Sequence, residues 1–262
     1  MLQHPNFEPV AFTAGPIEIH WYGLMYLIGF VGGALLGIYR TRRADSGWQN
    51  TEVWDLLFYL SIGIIVGGRL GYVLFYNPLH YLANPLQIFQ VWVGGMSFHG
   101  GLLGALAGMW LYGRRTGRHF LQVTDFVAPL VPIGLGAGRV GNFINQELWG
   151  RVSDLPWAVV FPLAGPEPRH PTQLYEALLE GVVLIVVLLV YSRVPRSLGA
   201  VSGLFLVCYS IFRFLIELVR EPDAHIGYLA FGWLTLGQVL TLPMLGFGLW
   251  LLFRQPPGTA RE

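Results

Sequence analysis

Three arginines stand where a charge is hard to keep. Arg69, Arg139 and Arg213 fall inside or at the edge of long apolar stretches, and each costs roughly 2.5–3.5 kcal/mol at the centre of a membrane helix on insertion scales. Residues retained against such a cost face a bundle interior or a wet cavity. A guanidinium presents a planar fork of donors that never loses its charge, which suits phosphate oxygens. His99, Tyr22 and Tyr209 add an imidazole and two phenol hydroxyls. Such a set fits an anionic phospholipid headgroup. The plainer alternative is that each arginine pairs with a carboxylate to hold helices together. Arg213 and Glu217 are four apart, right for a same-helix pair, with Tyr209 one turn earlier on the same face. For Arg69, beside Gly67 and Gly71, helix packing is the preferred reading. His99 in mid-span could equally hydrogen-bond across helices. Asp55 and Asp125 sit toward the cytoplasmic ends of spans and read as structural, Asp125 by helping a helix N-terminus electrostatically.

The elements that position these residues follow from composition. Of 262 residues, 54% are apolar and 12% charged, against about 25% charged in ordinary soluble domains. The solvent for such a chain is lipid. Stretches of about 20 apolar residues cross the hydrocarbon layer as helices, and seven are expected, over about 17–38, 53–75, 89–112, 120–141, 173–192, 199–219 and 232–253. The fold class is all-α: one polytopic integral membrane domain over 1–262. Pro129 and Pro132 predict a kink in the fourth span. Glycines at four-residue spacing (Gly29/Gly33/Gly37, Gly63/Gly67/Gly71, Gly100/Gly104/Gly108 and Gly134/Gly138) predict close helix packing. The segment 142–172, with its five prolines, is expected to be an irregular periplasmic cap.

Arginine distribution orients the chain by the positive-inside rule. Arg40, Arg42, Arg43, Arg114, Arg115, Arg118, Arg193, Arg196, Arg254 and Arg261 fall on one side, and Arg151, Arg169 and Arg220 on the other. The N-terminus is then outside and the C-terminus cytoplasmic. Arg69, Arg139, Arg213 and Tyr22 lie toward the outer ends of their spans, and His99 near mid-depth on the outer side. One polar layer in the outer leaflet is expected.

Several classes drop out. All sixteen basic residues are arginine, so a retinal or pyridoxal Schiff base has no lysine to form on. Cys208, alone, forms no internal disulfide and reads as packing. A net charge of +1 speaks against a nucleic-acid partner. No Cys/His cluster suggests a metal, and no cofactor is expected. Residues 1–16 lack the basic n-region of a cleavable signal. A transporter would place charges along a full transmembrane path. An intramembrane protease would need a Ser–His or H-E-x-x-H arrangement. A receptor-like bundle gives no reason for the outer polar cluster.

The run Gly138-Arg139-Val140-Gly141-Asn142-Phe143-Ile144-Asn145-Gln146-Glu147-Leu148-Trp149-Gly150 resembles the signature of the prolipoprotein diacylglyceryl transferases. Further pieces agree in order: His20 to Tyr26, Ser97 to Gly101, Arg169 to Glu176, and Tyr209 with Arg213 and Glu217. The segment joining Gly150 to Arg169 is shorter than in some members, which puts a larger periplasmic head in doubt. The resemblance implies transfer of the diacylglyceryl group of phosphatidylglycerol to the cysteine of a prolipoprotein lipobox, with release of glycerol phosphate. It implies importance for Tyr22, His99, Asp125, Arg139, Asn142, Glu147, Gly150, Tyr209, Arg213, Glu217 and Arg220. A free thiol has a pKa near 8.5, so a base helps, and His99 is the natural candidate. Arg139 and Arg213 are expected to carry the phosphate, oriented by Glu147 and Glu217, with Asn142, Tyr22 and Tyr209 on the headgroup. The expected partners are phosphatidylglycerol, the prolipoprotein signal peptide and membrane lipids, with the protein working as a monomer.

Overall fold

The computed structural model describes residues 2–43, 46–222 and 227–254. Arg261, counted in the arginine distribution, lies outside the described residues. In chain order the elements are β1 (Leu2–Gln3), β2 (Val10–Ala14), β3 (Ile17–His20), α1 (Trp21–Thr41), α2 (Asn50–Phe75), α3 (Pro78–Ala83), α4 (Phe98–Thr116), α5 (Phe120–Val127) and α6 (Val131–Ile144). There follow β4 (Val159–Val160), β5 (Pro168–Arg169), α7 (Thr172–Glu176), a π-helical turn pair over Ala177–Val183, and α8 (Leu184–Tyr191). The chain continues with α9 (Ala200–Glu217), β6 (Tyr228–Ala230), β7 (Leu234–Thr235) and α10 (Leu236–Phe253). Helices dominate because a lipid-exposed backbone must satisfy its polar groups within each segment.

Among the described residues, five helices are long and apolar enough to cross a membrane: α1, α2, the continuous rod Thr172–Tyr191, α9 and α10. The bent pair α5–α6 makes six. Its two halves meet at 47° across a break that holds Pro129, as the prolines predict. The third expected span differs most. Residues 89–97 are not part of a long helix; α4 starts only at Phe98, where the Ser97 hydroxyl accepts from the Gly100 amide at 3.3 Å. Just before it, Gly94 and Gly95 take left-handed φ of 89° and 79°, which no helix continues through. His99 is therefore the second residue of α4, exposed at its amino end, and not a mid-span residue.

The chain forms two compact units, residues 36–124 and residues 1–35 with 125–262. In the first, α2 and α4 run antiparallel with their glycine rows facing. A Cβ at Gly67 would lie 2.8 Å from the Gly104 Cα, and one at Gly71 would lie 2.8 Å from the Gly100 Cα. The opposite side of α2 shows Trp54, Phe58, Val66 and Leu74 outward, a surface suited to lipid chains. Arg69 is buried and spends its donors on carbonyls of the segment 87–95: Gln87 at 2.6 Å, Ile88 at 2.8 Å, Gly94 at 2.6 Å and Gly95 at 3.2 Å. Its partners are thus backbone carbonyls, where the structural alternative supposed a carboxylate.

In the larger unit, Gly29 meets Gly134, since a Cβ on Gly29 would lie 3.0 Å from the Gly134 Cα, whereas Gly138 faces open space. α9 packs on α10 through Gly203 and Gly248. Ala128, Leu184, Leu188 and Val201 form a buried core, with Cys208, Tyr209 and Phe212 packed on it. The segment 142–172 takes in the end of α6, a short 3-10 turn at Pro162–Ala164 and the start of α7, and is otherwise irregular apart from β4 and β5, which pair antiparallel, while β1 adds parallel to β4.

His4 fastens that N-terminal strand. Its Nε2 donates to the Phe143 carbonyl at 2.9 Å, and its Nδ1 accepts from the Asn6 amide at 3.0 Å. Both bonds together require the neutral ring. Burial holds its pKa below the ordinary 6.5, against an opposing pull from the Phe143 carbonyl. The unfolded chain then binds the proton more readily than the folded one. The stability contributed by neutral His4 is present above pH 6.5 and lost as pH falls toward the lower folded value. Thermal unfolding in detergent between pH 7.5 and 5 should fall less steeply for His4→Gln than for the parent protein; equal slopes would remove His4 from the effect.

Candidate functional site

α6 and the π-helical turn meet at a point where neither has a side chain: a Cβ on Gly181 would lie 2.9 Å from the Gly136 Cα. Backbones that close let a side chain one turn further along α6 reach across. Arg139 does so, placing Nε 3.2 Å from Glu176 Oε2 and Nη2 3.6 Å from Glu180 Oε2. α9 supplies the second cation. Arg213 bonds Glu176 Oε1 through Nη1, and its Nη2 lies 2.8 Å from Glu217 Oε2. Just past α9, Arg220 brings Nη1 within 3.8 Å of Glu176 Oε1.

Three guanidiniums thus converge on Glu176, and with Glu180 and Glu217 three carboxyl groups stand against three cations. Such pairing is what a low-dielectric interior demands of ions it keeps. The carboxylates of Glu176 and Glu180 are fully enclosed, while the side chains of Arg139, Arg213 and Arg220 remain 17%, 14% and 9% exposed. The two carboxylates are thus more withdrawn from solvent than the cations paired with them.

α10 braces the cluster from a third direction. Thr235 caps α10 reciprocally with Gln238 and donates its hydroxyl to Glu217 Oε1 at 3.0 Å. Gly237 lies against the same carboxylate, where a Cβ would be 2.7 Å from Oε1. Tyr209, one turn before Arg213, stacks on Phe205 with ring centroids 5.9 Å apart.

The other expected residues divide. Asn142 is buried at the end of α6 and donates its Nδ2 to Glu147 Oε2 at 3.0 Å. Tyr22 packs over Gly141, 3.3 Å from where a Cβ would stand. Gly150 admits no side chain, since a Cβ there would meet the Val219 carbonyl at 2.7 Å, and it forms a β-bridge with Arg220. Glu147, expected to orient Arg139, makes no ion pair with it among the described residues. It bonds Asn142, because the chain turns after Ile144 and carries Glu147 away from the arginine's helix face, while Glu176 and Glu180 hold that cation. Arg213 and Glu217 pair as expected.

Asp125 caps a helix, though not its own. It accepts from the Gly199 amide at 2.6 Å, the Ser202 amide at 2.8 Å and the Ser202 hydroxyl at 2.6 Å. The carboxylate neutralises the N-terminal end of α9, the helix that carries Arg213 and Glu217. His99 belongs to the other unit.

Glu176 and Glu180 are the residues that sequence reasoning missed. The signal was available: two carboxylates four apart in the apolar stretch 172–191, which the reasoning applied to the arginines would have marked.

A family model described as prolipoprotein diacylglyceryl transferase matches residues 9–254. A relative from Solidesulfovibrio magneticus is 61% identical over 259 residues, 98% of each chain. One from Pseudomonas paraeruginosa is 60% identical over 252 residues, 96% of this chain and 95% of its own. One from Coxiella burnetii is 56% identical over 257 residues, 97% and 98% of the two chains. Each of the three is named phosphatidylglycerol–prolipoprotein diacylglyceryl transferase.

Removing Glu176 tests the shared anchor. Glu176→Ala leaves buried cations short of a partner and should cost about 3–5 kcal/mol of stability. Thermal unfolding checks this; a loss under about 1 kcal/mol would mean that Arg139 and Arg213 do not depend on Glu176.

Proposed function

The chain belongs to the prolipoprotein diacylglyceryl transferase family, and from that premise we propose that it performs the reaction its relatives are named for. It transfers the diacylglyceryl group of phosphatidylglycerol to the cysteine thiol of a prolipoprotein lipobox, the first step of lipoprotein maturation. The observation that carries this reading is the pair Arg139 and Arg213, held on one enclosed carboxylate with 17% and 14% of their side chains still exposed.

The nucleophile is the substrate's own sulfur. The thiol gives its proton to a base, and the sulfur attacks the glyceryl carbon bonded to the phosphate oxygen. A C–S bond forms, the C–O bond breaks, and its electron pair leaves on the phosphate of glycerol phosphate. Donors fixed where that charge grows lower the barrier. Arg139 and Arg213 take this role, Arg139 held by Glu176 and Glu180, Arg213 by Glu176 and Glu217. Tyr22, Asn142, Glu147, Gly150, Tyr209 and Arg220 shape the lipid and peptide site around them. Asp125 acts at a distance, through the position of α9. His99 is the base on the chemistry of imidazole. No metal or cofactor takes part.

In the membrane the chain is one integral domain of seven spans, the seventh supplied by α4. Its 19 residues lie along α2 glycine on glycine, which supports their crossing together. The N-terminus faces outward and the C-terminus the cytoplasm of a bacterial inner membrane, with residues 142–172 as a periplasmic cap. The site then opens toward the outer leaflet, and a monomer suffices.

Purified protein should release glycerol phosphate from phosphatidylglycerol only when a lipobox peptide is supplied; release without peptide would mark a phospholipase or a different reaction. Arg139→Lys keeps the charge and loses the fork, and should lower turnover by about a hundredfold, the scale of one lost charge-stabilising donor. A mild effect would count against bidentate phosphate binding. His99→Gln should abolish the neutral-pH rate; near-normal turnover in vesicles would remove His99 from the chemistry.

A further inference from the structure

The signature loop contains an oddity that the reaction above does not use. Gln146 and Leu148, on either side of Glu147, both have left-handed φ, 55° and 56°. Residues with a Cβ seldom stay there unless their surroundings compel it. Two such residues bracketing one carboxylate need a device that holds them.

That device is visible in the hydrogen bonds. Gln146 is buried, and its carboxamide donates from Nε2 to Asn6 Oδ1 and accepts at Oε1 from the Leu163 amide, both at 3.1 Å. The Glu147 carbonyl accepts from Gln173 Nε2 at 2.5 Å. The Leu148 carbonyl accepts from the Thr172 hydroxyl at 2.9 Å. The Glu147 amide donates to the Asn142 carbonyl at 2.8 Å. Thr172 and Gln173 are fully buried, so neither bond exchanges easily with water. Both residues belong to α7, whose last residue is Glu176, the carboxylate on which the three arginines converge. One short helix therefore holds the Glu147 loop at its start and the arginine cluster at its end.

We propose that Thr172 and Gln173 are positioning residues. They hold Gln146 and Leu148 left-handed and so fix Asn142 and Glu147 at a set distance from Arg139 and Arg213. The lipid then meets both groups at once, in one orientation. The proposal rests on the transferase reading of the site.

The test uses the full-length purified chain, labelled phosphatidylglycerol and a lipobox peptide, with kcat and KM for the lipid measured separately. Thr172→Val keeps the shape and removes the hydroxyl. It should lower kcat/KM by about tenfold to a hundredfold, the scale of a modest misplacement at a reacting centre. Thr172→Ser should recover most of that loss. Leu148→Gly in the Thr172→Val background should also recover part of it, because glycine takes positive φ without a bond to hold it there. A residue serving only bulk stability would show no such rescue. Full activity in Thr172→Val, or a double variant no better than the single one per folded molecule, overturns the proposal. Should the valine variant not fold, amide hydrogen exchange of the parent protein decides: residues 147–150 should be protected as strongly as α7, and fast exchange there overturns it. If the parent transfers no lipid to the cysteine, the transferase reading falls instead.

Discussion

A guanidinium kept near lipid needs a counter-charge, and here one carboxylate answers for several. Glu176 is enclosed on all sides and touches Arg139, Arg213 and Arg220. Because Coulomb interactions strengthen as the dielectric falls, the cluster ties α6, α7 and α9 together at a single point. Arg139 and Arg213 are each held by two carboxylates. Preorganisation of this kind is what an electrostatic catalyst needs, since nothing must reorganise as charge develops.

The surrounding structure can be understood as what lets that convergence occur. Gly136 and Gly181 bring two backbones into contact, so that Arg139 spans the gap. The π-helical turn at Ala177–Val183 begins directly after Glu176 and contains Glu180; such turns recur at functional sites because they shift side-chain direction within a helix. Asp125 fixes one end of α9, and Thr235 with Gly237 presses on Glu217 at the other. His170, at the entrance to α7, is held below the ordinary histidine pKa by burial and by the nearby Arg151, so its ring stays neutral near pH 7. Residues far from the arginines therefore bear on their geometry through helix position alone.

Much of this was legible in the residues. Composition marked a membrane protein, the α2 and α4 glycine rows do face each other, the prolines bend the α5–α6 pair, and Arg213 pairs with Glu217. What escaped had physical causes. Glu176 and Glu180 lie outside any reading that starts from cations, although a carboxylate in lipid is as informative. Two left-handed residues bracket Glu147, which bonds Asn142 and not the expected Arg139, and backbone reversals of that kind leave little trace in composition. The start of α4 was placed nine residues early because Phe89, Val91, Trp92 and Val93 are apolar; the Gly94-Gly95 pair was the overlooked stop. Asp125 was read as serving its own helix, since a contact across 74 residues of chain has no local signature.

The central claim is that a phospholipid phosphate sits on Arg139 and Arg213 while both remain anchored to Glu176. An experimental structure of the protein in a lipid disc containing phosphatidylglycerol tests it directly. The account predicts phosphate oxygens within about 2.7–2.9 Å of both guanidiniums, the spacing of charge-assisted hydrogen bonds, with the Glu176 contacts retained. A headgroup bound elsewhere, with both arginines closed over by carboxylates, would contradict it.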